Sequence, residues 1–142
     1  MKNRLLSQRY TIQGRNFLEA GKVSTDIRNT LKDLGVSGGI VRRAAIAVYE
    51  AEMNVVMYAE KATLRFDMTP QAIRIVIDDR GPGIPDIALA MQEGYSTATP
   101  EMRELGFGAG MGLPNIKRNA DRFSLRSTVG KGTTLEITIA IN

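Results

Sequence analysis

The sequence contains no cysteine, no histidine and no tryptophan. Without cysteine there is no disulfide framework, no thiol nucleophile and no cysteine-based metal site. Without histidine the chain lacks the commonest general base and metal ligand, and phosphohistidine chemistry within the chain is excluded. Any chemistry must therefore use carboxylates, hydroxyls, amines, backbone amides or a metal held by oxygen ligands.

Long apolar runs are also missing, so we expect no membrane span, and the Met1-Lys2-Asn3 start lacks a secretory apolar region. The 142 residues suit one domain, 1–142, and a cytoplasmic location is expected. The net charge is only +4, and the basic residues are scattered with few aromatics between them. This pattern argues against nucleic-acid binding and is compatible with an anionic nucleotide or an acidic partner.

Apolar spacing predicts an amphipathic helix over 23–34, ended by Gly35. A second helix over 37–59 is apolar on both sides, so we expect it to lie between a sheet and another helix. Further strands are predicted at 10–12, 63–68, 72–77, 123–128 and 133–141. A short helix is predicted to start at Pro85-Asp86, with proline at or near its first helical position, and another helix at 112–122. Because helices and strands do not alternate regularly, we expect an α+β fold. It would be a two-layer sandwich with a mixed, mostly antiparallel sheet and its helices on one face.

Two polar residues, Glu50 and Asn54, lie four apart on the second predicted helix, among apolar neighbours. Buried there, a carboxylate and a carboxamide need a partner, and Mg²⁺ is one that accepts oxygen ligands. From the pair alone, an exposed helix face is the more usual interpretation.

Three glycine-rich turns follow. Asp79-Arg80-Gly81-Pro82-Gly83 comes after a strand, where an acidic side chain can accept a hydrogen bond from an exocyclic amine. Residues 106–113 place glycines at alternate positions before a helix, which is typical of a phosphate site, although they lack the Walker-type and Rossmann patterns. Gly130-Lys131-Gly132-Thr133-Thr134 is by itself an ordinary hairpin turn.

The order of these four motifs resembles the Bergerat-fold ATPases, the group that includes gyrase B, histidine kinases and mismatch-repair MutL. Glu50-x-x-x-Asn54 is similar to the N box of that group, and the three turns are similar to its three glycine boxes. The resemblance covers about residues 37–141. Members often carry histidine four residues after the asparagine, where this chain has Tyr58.

The resemblance implies ATP and Mg²⁺ as cofactors and a mobile lid over the nucleotide within 94–110. Asn54 would bind the magnesium ion, Asp79 the adenine amino group, and Glu50 would act as general base on an acceptor hydroxyl. Thr133 would support the water network beside adenine. The other implied contacts line the base or surround the phosphates: Gly81, Gly83, Ile84, Arg103, Gly108, Ala109, Gly110, Met111, Gly112 and Leu113.

The chain is too short for the transducer domains of gyrase B or MutL and has no phosphorylatable histidine. The small branch of anti-sigma factors and switch kinases is the one that it resembles, and residues 79–97 are especially similar to the stressosome switch kinase. That branch implies a serine/threonine kinase acting on a small STAS-type partner, and it is compatible with a homodimer. The alternatives are an ATP-gated binding protein, such as an anti-sigma factor, and a degenerate domain that no longer binds nucleotide.

Overall fold

The structure, a computed structural model, describes residues 5–94, 96, 98–100 and 112–141. Its strands are β1 (Leu6–Gln13), β2 (Lys61–Met68), β3 (Ala72–Arg80), β4 (Arg122–Thr128) and β5 (Gly132–Ala140). Its helices are α1 (Lys22–Asp33), α2 (Gly38–Tyr58), α3 (Ile87–Ala90) and α4 (Gly112–Asn119). No helix in this described part of the chain is long and apolar enough to cross a membrane.

The five strands form one open sheet in the order β1-β2-β3-β5-β4, and every neighbouring pair is antiparallel. The prediction of an α+β fold with a mostly antiparallel sheet is confirmed, and no parallel pair is found among the described strands. Alternate side chains point to the helices. Phe66, Ile75 and Ile137 face one another across β2, β3 and β5 and are fully buried.

Helix α2 lies over the apolar face of the sheet. It packs against α1 and α4 and also touches four of the strands, so the prediction that both of its sides are covered is confirmed. The opposite face of the sheet carries exposed basic residues such as Arg9 and Arg122. On that face Glu136 pairs with Arg74 at 3.3 Å and with Arg126 at 3.6 Å. The described helices therefore cover one face of the sheet, as predicted.

Some predicted boundaries were wrong. Helix α4 ends at Asn119 rather than 122, because Asp121 accepts a hydrogen bond from the Ala140 amide at 2.7 Å and its own amide joins Thr138 at 2.9 Å. Those contacts draw the chain into β4, and the Ala140 amide holds the pKa of Asp121 below its usual range, with Arg43 adding to the effect. Pro85 does not begin α3. Asp86 caps that helix by accepting from the Leu89 amide.

Helix α1 begins without a side-chain cap of its own, and a buried carboxylate from α2 takes that role. Glu52 is 2% exposed and accepts from the amides of Gly21, Val23 and Ser24 at 3.0–3.2 Å. The first amides of a helix have no partner within it, and their partial positive charge favours an anion. Glu52 therefore fastens the start of α1 to the middle of α2.

Replacing Glu52 by glutamine is expected to lower the free energy of unfolding by about 3 kcal/mol. The NH₂ group of the glutamine side chain would face backbone N–H donors, to which the carboxylate oxygen offers an acceptor. Thermal unfolding followed by circular dichroism measures the change. Glu19→Gln is the matched control, because Glu19 is an exposed residue just before α1 that pairs with Lys22 at the surface. Equal stability of the two variants would contradict the capping role.

Candidate functional site

A cleft of about 550 Å³ opens between α2, the end of β3 and the β4–β5 pair. Ile77, Leu125 and Leu135 are among the apolar residues that line most of it, and polar side chains occupy the other positions. A cleft of this size with a mainly apolar lining and several polar groups is typical of a small-molecule site. Of the fourteen predicted site residues, eight line this cleft and Gly81 does not. The other five lie outside the described residues.

At one end of the cleft, Asp79 lies near the end of β3. Its Oδ1 accepts a hydrogen bond from the Thr133 amide at 3.0 Å, which holds the carboxylate against β5. The neighbouring Asp78 projects to the other face of the strand and accepts from the Thr134 hydroxyl at 3.1 Å. The strand alternation thus points one of two adjacent carboxylates into the cleft.

Burial raises the pKa of Asp79 above its usual range, and the nearby Asp78 charge adds to this effect, while the Thr133 amide partly offsets it. The cause is desolvation, which disfavours the charged form of a carboxyl group. Because the raised pKa favours the protonated folded state, Asp79 contributes stability at acid pH that is lost as the pH rises through its folded pKa. A carboxyl group whose pKa is shifted by burial at a cleft wall marks a candidate binding position.

Ser127, on β4, is a contributor that the sequence interpretation missed. Its hydroxyl accepts from the Ile84 amide at 2.7 Å and lies 2.9 Å from the hydroxyl of Thr133, its cross-strand partner. The alternation of β4 could have predicted this, because Phe123 and Leu125 face inward and residue 127 is the next position on the same face. Ser127 therefore joins the first glycine-rich turn to the third.

The first and third glycine-rich turns approach each other closely at two glycines, where a side chain would not fit. At Gly83, with φ +76°, an added Cβ would lie 2.5 Å from the Thr128 carbonyl oxygen. At Gly132, with φ +152°, it would lie 2.0 Å from the Asp79 carbonyl oxygen. Both contacts are shorter than atoms tolerate, so these glycines set how closely the turns approach each other.

Gly81 has a different place from the predicted one. It packs behind Asp79 and against Ala59, where an added Cβ would lie 3.2 Å from each, and it does not line the cleft. Gly83 and Ile84 do line the cleft. A side chain at Gly81 would crowd both the Asp79 carboxylate and Ala59, so glycine leaves room for that carboxylate.

At the other end of the cleft, Glu50 and Asn54 both line the wall, half-buried on α2. Helix α4 packs against them. An added Cβ on Gly112 would lie 3.2 Å from Asn54 Oδ1, and Asn115 Nδ2 donates to Glu50 Oε2 at 3.4 Å. The interpretation of this pair as an ordinary exposed helix face is wrong, because both side chains face the cleft.

The described part of the chain contains no group of three or more acidic side chains close enough to hold a metal ion by themselves. Gly112 and Leu113 line the cleft beside Asn54. Five predicted phosphate contacts lie outside the described residues: Arg103, Gly108, Ala109, Gly110 and Met111. The structure therefore brings together Glu50, Asn54, Asp79, Gly83 and Ile84 with Gly112, Leu113 and Thr133.

The sequence of this chain is similar to those of known proteins. Residues 19–139 match the family model described as the histidine kinase-like ATPase domain. The serine/threonine-protein kinase RsbT of Bacillus subtilis is 36% identical over 113 residues, covering 77% of this chain and 79% of that protein. The anti-sigma F factor of Caldanaerobacter subterraneus is 34% identical over 97 residues, covering 65% of this chain and 64% of that protein.

Solved structures show the same fold. The RsbU and RsbW domains of Rv1364c from Mycobacterium tuberculosis match with a TM-score of 0.59 at 15% identity, over 92% of this chain but only 32% of that one. The SiaB–SiaC complex from Pseudomonas aeruginosa contains a chain that matches with a TM-score of 0.59 at 15% identity, over 97% of this chain and 92% of that one. With the family model matching most of its length, the chain belongs to the histidine kinase-like ATPase domain family.

Proposed function

We propose that this chain, acting as one domain over 1–142, is an ATP-dependent serine/threonine protein kinase whose substrate is a small STAS-type regulatory protein in a partner-switching pathway. One observation carries the proposal. A single cleft has at one end the Asp79 carboxylate, which can accept a hydrogen bond from the adenine amino group. At the other end it has the carboxylate of Glu50 and the carboxamide of Asn54. The similarity to the kinase RsbT supports the same reaction class.

Adenine occupies the Asp79 end in this proposal. The Thr133 amide uses Asp79 Oδ1, which leaves Oδ2 to accept from the exocyclic amino group of the base. The apolar floor and Gly83 contact the ring, since a glycine lets a flat ligand approach the backbone. The hydroxyls of Thr133 and Ser127, 2.9 Å apart, would hold a water beside the base.

The triphosphate extends toward α2 and the start of α4. Asn54 offers a carboxamide oxygen, a hard donor of the kind that Mg²⁺ accepts together with water and phosphate. Magnesium held by Asn54 would supply positive charge that offsets the charge of the phosphates during transfer. Arg103 and the glycine-rich stretch 108–112 are proposed from the sequence to contact the same phosphates.

Glu50 is proposed as the group that receives the proton of the acceptor hydroxyl. The hydroxyl oxygen forms a bond to the γ-phosphorus, the bond from that phosphorus to the bridging oxygen breaks, and ADP leaves. The proton released from the hydroxyl moves to the Glu50 carboxylate. Most of the rate enhancement of such a transfer comes from positioning and charge stabilisation, and the base contributes its own smaller part.

Label transfer tests the proposal. The chain is incubated with Mg²⁺, γ-labelled ATP and a purified STAS-domain protein, and acid-stable label on serine or threonine of that protein is measured by mass spectrometry. The proposal predicts stoichiometric label on one hydroxyl. Absence of label when calorimetry shows that ATP is bound would refute the kinase activity.

A binding protein is the second candidate function, favoured by the similarity to anti-sigma F factors. In that case the nucleotide would set the affinity for a partner, and chemistry would be slow or absent. Partner affinity measured with ADP and then with ATP separates the two functions, since a Glu50→Gln variant would keep nucleotide-dependent partner binding. A homodimer is compatible with either function and is tested by light scattering against the 15.5 kDa mass of one chain.

The affinity for ADP is expected to fall as the pH is lowered. The fall should begin at a higher pH than for an ordinary carboxyl group, whose pKa is about 4. Only the ionised Asp79 accepts from the adenine amino group with full strength, and burial raises its pKa. Calorimetric titrations from pH 7.5 downward measure the change, expected to approach tenfold per pH unit below that pKa. An Asp79→Asn variant should bind weakly at every pH. A wild-type affinity that stays flat through this range would contradict the contact.

A further inference from the structure

Helix α4 is fastened to α2 at two places, and one of them is the proposed catalytic carboxylate. Arg43 on α2 donates through Nε to the Asn119 carbonyl at 3.1 Å, and two helical turns further along α2 the Glu50 carboxylate accepts from Asn115 at 3.4 Å. Gly112 then lies beside Asn54. The two helices therefore run antiparallel, and the first turn of α4 borders the polar pair.

A chain of side-chain contacts continues from Glu50 to the surface. Asn115 Oδ1 accepts from Arg118 Nη1 at 3.1 Å, and Arg118 forms an ion pair with Glu93. Because a guanidinium group can only donate, the Asn115 oxygen must face Arg118, and the Asn115 amino group is left to face Glu50. The order of donors and acceptors along this chain is thus determined by Arg118.

We propose that Asn115 and Arg118 are positioning residues that hold the Glu50 carboxylate in the orientation required to receive the acceptor proton; this inference rests on the proposed kinase function. A glutamate side chain has three rotatable bonds, so an unsupported carboxylate spends part of its time in unproductive rotamers. The Asn115 donor selects one orientation, and Arg118 keeps that donor in place. Arg118 does not line the cleft, and Asn115, which does, acts in this proposal through its bond to Glu50.

The test uses γ-labelled ATP and a purified STAS-domain protein, with kcat and the KM for ATP determined separately. Asn115→Ala is expected to lower kcat about tenfold and leave the KM for ATP unchanged, since orientation is lost and nucleotide contacts are kept. Asn115→Asp should lower kcat further, because it replaces the donor by a like charge. Arg118→Lys should retain more activity than Arg118→Gln, since lysine keeps a positively charged donor for Asn115 and can keep the ion pair with Glu93.

A double-mutant cycle separates positioning from general damage. If Asn115 acts through Glu50, adding Asn115→Ala to a Glu50→Gln protein should cause no further loss. Lys117→Gln is the matched control for Arg118→Gln, because it removes one positive charge from the neighbouring exposed position of α4. Full kcat in Asn115→Ala, or additive losses in the cycle, would overturn the inference.

The outcome also separates this inference from the proposed function. Absence of label transfer by the wild-type protein refutes the kinase itself. Transfer that depends on Glu50 but not on Asn115 or Arg118 refutes the positioning role alone. Because Arg118 is exposed, its variants should fold even if an Asn115 variant does not, and thermal melting checks this for each protein.

Discussion

Replacing Glu50 by glutamine is expected to lower phosphoryl transfer to the STAS-domain protein by about 100- to 10,000-fold, the range typical of a lost general base. Glutamine has nearly the same shape, so it fills the same half-buried place on α2, yet it cannot accept the hydroxyl proton. The affinity for ADP should stay within about twofold, because adenine binds at the opposite end of the cleft. Single-turnover label transfer and calorimetry measure the two quantities.

Glu60→Gln is the matched control for this prediction. Glu60 is an exposed glutamate two residues beyond the end of α2, and it does not line the cleft. Its replacement removes the same charge and should leave transfer unchanged. Full transfer by the Glu50→Gln protein would exclude Glu50 as the base, and an equal loss in both variants would point to a general charge effect.

Replacing Asp79 by asparagine is expected to weaken ADP binding by about 100-fold, which corresponds to roughly 3 kcal/mol. Asp79 accepts twice in the proposed complex, once from the Thr133 amide and once from the base. An asparagine has only one acceptor oxygen. In either orientation of its amide group, one of the two donors would meet another donor.

Asp78→Asn is a close control for the Asp79 variant. It alters the adjacent residue of the same strand, but that side chain lies on the opposite face, where it accepts from the Thr134 hydroxyl. We expect near wild-type ADP affinity for this variant. Comparable weakening by both substitutions would mean that the loss comes from the charge of the strand rather than from a contact with adenine.

Much of this fold and site could be predicted because the deciding signals are local. The period of α2 showed two apolar sides, and the strands around Phe66 and Ile75 alternated clearly. The glycine-rich turns could be predicted because positions such as Gly83 and Gly132 have backbone conformations that other residues rarely adopt, so glycine in the sequence indicates them. The polar pair on α2 became convincing only through its order relative to those turns.

The parts that could not be predicted depend on contacts between distant segments. Glu52 looks like any helix glutamate until α1 is placed so that its first amides point at the carboxylate. Asn115 gains its place only from the antiparallel packing of α4 on α2. The end of α4 depends on a contact between Asp121 and Ala140 in another strand. No periodicity within one segment contains that information.

The measurement that tests the central claim most directly is an amide chemical-shift map of the ¹⁵N-labelled wild-type chain titrated with ADP and Mg²⁺. The account predicts saturable shifts at cleft residues, including the Thr133 amide that is bonded to Asp79 and the Ile84 amide that is bonded to Ser127. The amide signals of residues on the sheet face opposite the helices, such as Arg9 and Arg122, should not shift. Shifts confined to that opposite face, or no shifts at millimolar ADP, would contradict the account.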